Sequence, residues 1–447
     1  MESTRLSRFL LFFLHCKLTL SVSLLPNEAL PTKSGYLPIN PNSDSAIFYL
    51  YYEAHKPIST LSQTPLLIWL QGGPGCSSML GNFLELGPWR VNFHKSPHEP
   101  LALEPNPGSW NRIFGLLFLD NPIGTGFSIA SKPEEIPRDQ NKVAEHLFAA
   151  ITSFFESNPS FKSRPLYITG ESYAGKYVPA IGSYILKKNA EFPSPNRINL
   201  AGVAIGNGMT DPAAQVGVLA DMAYFTGFVN EKQKMKLAKL QSEAVALTEA
   251  GNWSAAADAR SRALNSFQKM TGLATLYDFT KREPYKTNLV EELLRNDDVK
   301  RALGVKRRVV FEGCNFLVSK AMHEDMMKSA KHMVESLVKE SRVLLYQGHL
   351  DLRALGVVPT EAWVRSLNWE GIEGFLSAEK EVWTVNGEVA GYVQRWGSLT
   401  NAVVLGAGHM VPTDQALNSL SMIEDWVLEQ GLFGNNMSYS FLGPMQI

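Results

Sequence analysis

The sequence predicts an α/β fold: a mostly parallel sheet covered by helices, broken late in the chain by a long helical segment. Three observations carry this. Six short apolar runs, at residues 66–70, 113–119, 166–169, 198–205, 343–346 and 402–405, lack polar alternation. Strands buried on both faces of a covered parallel sheet read this way. Residues 140–156 and 176–188 carry apolar positions at helical spacing, as covering helices require. After residue 212 the character changes. Residues 231–270 are rich in Ala, Lys, Gln and Leu, 289–303 is also helical, and no strand-like run returns until about residue 342.

Taken in order, the chain divides into four segments. Residues 1–25 read as a secretory signal peptide. Arg5 and Arg8 supply the basic start, and residues 9–14 and 18–25 are apolar, interrupted by His15-Cys16-Lys17; an N-terminal anchor or tail is the competing reading. Residues 26–212 form the first part of the α/β core, beginning with an antiparallel strand at 46–52. Residues 213–335 are the helical insertion, and 336–447 complete the core. In this last part Asn386-Gly387 separates two β-rich runs, 383–385 and 392–394, a hairpin signal. No run beyond the leader is long and apolar enough to span a bilayer. A net charge of −1 excludes a strong electrostatic footprint for nucleic acid or a membrane surface. No metal-ligand spacing such as His-Glu-x-x-His occurs, and neither metal nor cofactor is expected.

The chemistry concentrates at Gly170-Glu171-Ser172-Tyr173-Ala174-Gly175. A serine between a buried strand and a helix, flanked by small residues, is the nucleophile elbow of the α/β-hydrolase fold. Its hydroxyl needs a base and an orienting carboxylate, in the chain order Ser, acid, His. Two strand ends downstream offer them. Residues 342–346 end in Gln347-Gly348-His349-Leu350-Asp351, and residues 401–405 end in Gly406-Ala407-Gly408-His409. Asp351 and His409 therefore join Ser172 as the candidate triad. His349 precedes the acid, which breaks the order, so it is read as a surface or supporting residue.

Acyl transfer also needs main-chain N–H groups aimed at the developing oxyanion. The strand at 66–70 runs into Gln71-Gly72-Gly73-Pro74-Gly75-Cys76-Ser77-Ser78, a loop able to expose amides. Tyr173, next after the nucleophile, supplies the second amide. The loop lacks the Gly-Lys-Ser/Thr ending of a phosphate-binding loop.

At these residues the chain resembles the serine carboxypeptidases of plant type, near the vitellogenic carboxypeptidase-like branch. The matching stretches are residues 69–78, Glu85-Leu86-Gly87-Pro88, residues 119–128, residues 170–179, Gly206-Asn207-Gly208 and residues 406–414. The resemblance implies an α/β-hydrolase fold with a central mostly parallel sheet and the insertion as a helical cap. It implies Ser172 as nucleophile, Asp351 as orienting acid and His409 as base, with the Gly73 and Tyr173 amides as oxyanion hole. It also implies that Gln71, Glu85 and Glu171 hold the substrate's free carboxylate. Gln71 stands where the family commonly has Asn, and His349 where many members have Asp.

If Cys16 leaves with the leader, Cys76 and Cys314 remain. The resemblance implies a disulfide between them; two buried free thiols are the alternative. Asn252 and Asn436 head Asn-x-Ser triplets and are candidate glycosylation sites. The expected function is a secreted or vacuolar serine carboxypeptidase that removes C-terminal residues from peptides at acid pH. Two alternatives stand: an acyltransferase that uses glucose esters with the same triad, and a non-catalytic binding protein. Glu171 before the nucleophile, where the acyltransferases usually have Asp, favours hydrolysis.

Overall fold

The computed structural model describes residues 24–92 and 101–434. All but the last two residues of the predicted leader, and Asn436, lie outside the described residues. Twelve strands are described. In order they are β1 (Lys33–Pro38), β2 (Ala46–Tyr52), β3 (Leu66–Leu70), β4 (Trp89–Val91), β5 (Leu103–Pro105) and β6 (Gly115–Leu119). They continue with β7 (Leu166–Glu171), β8 (Leu200–Gly206), β9 (Arg342–Gly348), β10 (Glu381–Val385), β11 (Glu388–Trp396) and β12 (Leu399–Val404).

Ten of them form one sheet in the order β1-β2-β6-β3-β7-β8-β9-β12-β11-β10. The six central strands, β6 to β12 in that order, run parallel. They are the six runs read from the sequence. β2 is antiparallel to β6 as expected, and β1, β11 and β10 extend the edges antiparallel. Asn386 and Gly387 both have positive φ between β10 and β11, as a tight hairpin turn requires.

The absence of alternation has a direct cause. Leu67, Trp69, Leu116, Phe118, Leu344 and Tyr346 feed one core, while Leu66, Ile68, Leu117, Leu119, Val343 and Leu345 feed the core on the other face. Successive residues of a strand point to opposite faces, so both must be apolar. The second face is covered by Gln140–Ser157, capped by Asp139, and by Ala174–Glu191. Each covered strand residue of Leu size contributes roughly 1.5–3 kcal/mol of burial.

Between β8 and β9 the chain is helical. Glu231–Glu249 and Trp253–Thr271 pack through Leu237, Ala244, Ala256, Ala259, Ala263 and Phe267 into a third core of their own. Asn252, exposed, stands at the start of the second of these helices. Residues 289–303, expected as one helix, form two, Thr287–Arg295 and Asp297–Ala302. The break is at Asn296, whose side chain accepts from the Asp298 and Val299 amides and caps the second helix. A side chain that offers its own acceptor to the backbone favours such a start over helix continuation. No helix of the described residues is long and apolar enough to cross a membrane.

The strand order places the chemistry. From β3 the chain passes to β6 on one side and then to β7 on the other. Loops after β3 and β7 therefore diverge at a switch point, where open α/β sheets form their crevice. These loops carry Gln71–Cys76 and Ser172.

Candidate active site

Ser172 has φ 62°. A non-glycine residue in this left-handed region is strained and persists only where its surroundings hold it. They do so here with three main-chain bonds. The Ser172 amide donates to Gly206 at 3.0 Å, and its carbonyl accepts from Met209 at 2.8 Å and Gly175 at 2.9 Å. The elbow predicted from sequence is thus present in backbone geometry.

The Gly-rich loop lies directly against it. A Cβ on Gly72 would sit 2.5 Å from the Tyr173 nitrogen and 2.7 Å from the Ser172 Cβ. No side chain fits there, and the absence of one lets the two loops meet. Gly73 has φ +112°, open to glycine alone at little cost. Its amide and that of Tyr173 donate to no other described residue. Asp120 anchors the far end of the loop. It accepts from Ser77 Oγ at 2.6 Å, the Ser78 amide at 2.9 Å and the Phe127 amide at 2.8 Å. Burial raises its pKa to about 6, against those hydrogen bonds.

Asp351 and His409, the residues expected as acid and base, lie side by side. His409 Nδ1 lies 2.6 Å from Asp351 Oδ2, and both residues are buried. Donation from Nδ1 leaves Nε2 as the basic nitrogen. Ser172 and His409 line the same cavity, of about 270 Å³, without a direct hydrogen bond between their side chains. His349 is exposed, consistent with a surface residue.

Three contributors were not assigned roles from sequence. Asn207 donates to Asp351 Oδ2 at 2.8 Å and accepts from the Gly348 amide at 3.0 Å. The insertion straps the loops that carry Asp351 and His409 through its main chain. Leu352 donates to the Leu276 carbonyl at 2.9 Å, and His409 donates to that of Tyr277 at 2.7 Å. The Tyr277 ring then lies 4.5 Å, centroid to centroid, from the His409 imidazole. Further along, Tyr285 and the Gly408 amide both donate to Asp414, at 2.5 and 2.8 Å. The motifs around Asp120, Asn207 and Asp414 were visible in the sequence; Tyr277 carried no signal there.

The three residues implied to hold a carboxylate are together and buried. Glu85 comes from a π-helical turn, Gly81–Leu86, and Glu171 from the end of β7. Gln71 Nε2 donates to Glu171 at 2.7 Å and Glu85 at 3.2 Å. The Trp69 indole donates to Gln71 Oε1 at 2.8 Å. Because indole can only donate, it fixes which end of the amide faces the acids. Burial pushes Glu85 up to about 8 and Glu171 well above the carboxylate range, and the charge of Glu85 raises Glu171 further. Oε2 of each acid finds no donor among the described residues. Two carboxyls so placed retain a proton between them.

Gln71, Gly73, Glu171, Ser172 and His409 share the cavity wall with Tyr277, Tyr285, Leu80 and Met410. Cys76 and Cys314 also line it, joined by a disulfide, so the pair is not two free thiols. No group of metal-ligating residues occurs among the described residues.

Comparison with known proteins matches this arrangement to one family. Residues 25–429 match the family described as serine carboxypeptidase. Serine carboxypeptidase-like 50 of Arabidopsis thaliana is 55% identical, over 95% of each chain. Probable serine carboxypeptidase CPVL of Homo sapiens is 32% identical, over 92% of this chain and 86% of its own. Among solved structures, the prohormone-processing carboxypeptidase Kex1(Δ)p of Saccharomyces cerevisiae superposes with a TM-score of 0.79 at 26% identity, over 89% of this chain and 92% of its own. This chain, an α/β hydrolase in fold, belongs to the serine carboxypeptidase family of hydrolases.

Proposed function

We propose that the protein releases C-terminal residues from peptides through an acyl-enzyme at acid pH, in the secretory pathway, outside the cell or in a vacuole. One observation carries the reading. A buried Gln71–Glu85–Glu171 cluster with a retained proton adjoins the cavity lined by Ser172 and His409. A proton-bearing carboxyl pair and an amide suit a free carboxylate, and a carboxylate fixed there leaves the last peptide carbonyl near the nucleophile.

In this reading His409 Nε2 takes the Ser172 proton as Oγ attacks that carbonyl. Asp351 holds the imidazole and stabilises its charge. The Gly73 and Tyr173 amides bind the oxyanion. The tetrahedral intermediate collapses as His409 protonates the departing amine. Water, deprotonated by His409, then releases the acyl group and restores the serine. The apolar wall of Leu80, Tyr277, Tyr285 and Met410 favours an apolar leaving residue. Exposed Asn252 would carry a glycan, and secretion fits the leader and the disulfide.

The test offers the purified protein a blocked dipeptide, and separately an acyl-glucose ester with an acceptor alcohol. The expected outcome is release of the C-terminal amino acid and no ester of the alcohol. A fluorophosphonate probe should label wild type and not Ser172→Ala. The substitution should remove nearly all turnover, leaving a residual rate roughly 10³–10⁴-fold over water. Labelling that persists in Ser172→Ala, or transfer without hydrolysis, sinks the proposal.

A further inference from the structure

A buried ion pair lies behind the nucleophile, outside the cavity just described. Lys176 is fully buried on the helix Ala174–Glu191. Its ammonium lies 2.9 Å from Asp325 Oδ2 and also donates to the Asp325 carbonyl. Two further donors reach the same oxygen: the Tyr173 hydroxyl at 2.5 Å and Gln140 Nε2 at 2.7 Å. Asp325 itself sits on a 3₁₀ turn of the insertion, His323–Met327, and is 2% exposed. One carboxylate from the insertion thus gathers donors from both helices of the covering layer and from the residue that follows Ser172.

A buried ion pair is weak evidence for stability, because desolvation can exceed the mutual attraction. What it does supply here is a unique arrangement. Tyr173 is held at both ends. Its main chain follows the strained Ser172, and its ring packs edge-on against Tyr177, with centroids 5.1 Å apart. Its hydroxyl then ends on Asp325. An oxyanion donor must be aimed within a few tenths of an ångström before the charge develops.

The geometry points to Asp325 as a positioning residue for acyl transfer: through the Tyr173 hydroxyl and Lys176, it ties the seating of the insertion to the aim of the Tyr173 amide. This rests on Ser172 as nucleophile and Tyr173 as oxyanion donor. Asp325 touches no reacting atom. Its effect belongs to the transition state, and interactions stronger there than in the ground state change kcat rather than KM.

Two variants test it. Asp325→Asn keeps the shape and removes the charge. Tyr173→Phe removes only the hydroxyl and leaves the Lys176–Asp325 pair in place. Each is measured for kcat and KM on a blocked dipeptide, for affinity toward a peptidyl phosphonate whose anionic oxygen mimics the oxyanion, and for affinity toward the product acid. Both variants should lose roughly 10- to 100-fold in kcat and in phosphonate affinity, less than one deleted oxyanion donor costs. KM and product affinity should stay within about twofold. The double variant should be no worse than the worse single one, as for residues acting as one unit. If Asp325→Asn fails to fold, Tyr173→Phe decides alone. The inference is overturned if folded variants keep wild-type kcat, or if product affinity falls along with kcat. Failure of fluorophosphonate to label wild-type Ser172 would instead overturn the nucleophile assignment, and the inference with it.

Discussion

Asn207, just past β8, holds a left-handed backbone, φ 40°, and serves two groups at the end of β9 at once. Asn is among the few residues that visit this region readily, because its short amide can bond locally. Here the amide spans from the Gly348 main chain to the Asp351 carboxylate, so the acid that orients His409 is itself oriented. Asn207→Ala removes that donor. A shift of about 1 Å in the acid–base pair costs about 100-fold, and the expected loss in kcat is of that order with KM little changed. Steady-state kinetics on a blocked dipeptide, beside a melting curve to confirm folding, decides it; unchanged kcat refutes the role. The residue was legible within Gly206-Asn207-Gly208 but its task was not. Its partner Asp351 lies 144 positions away, and nothing local marks that pairing. Ser172 differs because its neighbours on both sides declare the turn.

At the level of elements, legibility follows burial. The six central strands stood out because two cores demand apolar residues at every position. The edge strand β1 is half exposed, with a burial pattern too mixed to announce a strand, while β10, as exposed, was legible through the Asn386-Gly387 turn beside it. The insertion was readable as helix and silent as contact. Residues 276–285 strap the loops that carry Asp351 and His409 largely by main-chain bonds, which any sequence can make. The Cys76–Cys314 link is the exception: the resemblance implied it, and the structure joins the two. Beside it the Ser77 amide donates to Gly313 and the Asn315 amide to Gly75, each at 2.8 Å. The insertion is thus paired to the Gly-rich loop by backbone as well as by sulfur. The bond closes a separation of 238 residues, worth about 5 kcal/mol in the chain-entropy account. A Cys76→Ser, Cys314→Ser double variant should melt well below wild type. Activity should survive at low temperature, because the backbone pairing still places the loop. An unchanged melting temperature would refute the stabilising role.

Across the whole molecule, acid and base nearly balance, at a net charge of −1, so pH acts through a few buried groups rather than an overall field. Glu85 is raised to about 8, Asp120 to about 6, and Glu171 well above its ordinary value, each chiefly by burial. Between the unfolded and the raised value, the folded protein holds protons that the unfolded chain has lost. Stability therefore falls as pH climbs through that window. Buried His146 opposes this at the acid end: lowered from 6.5 to about 4, it is neutral when folded and charged when unfolded, so stability is lost as pH falls through that range. Between about pH 4 and 6.5 the histidine therefore offsets part of the slope that the buried carboxyls impose. In the proposed function, the proton on the Glu85–Glu171 pair is also the one a substrate carboxylate needs. Once it leaves, the site is anionic, repels the ligand and lacks a donor. KM for a free-acid peptide should then rise as pH climbs above the ordinary carboxylate range and through the raised range of the Glu85–Glu171 pair. The C-terminal amide of that peptide should show a flatter profile. Glu85→Gln keeps a neutral donor at every pH and should flatten the free-acid profile too. A product acid should raise the melting temperature more at about pH 5 than at about pH 9, since only the protonated site binds it. A KM that stays level for the free acid across that span, or a Glu85→Gln profile that matches wild type, would show that the carboxyl pair does not hold the substrate's charge.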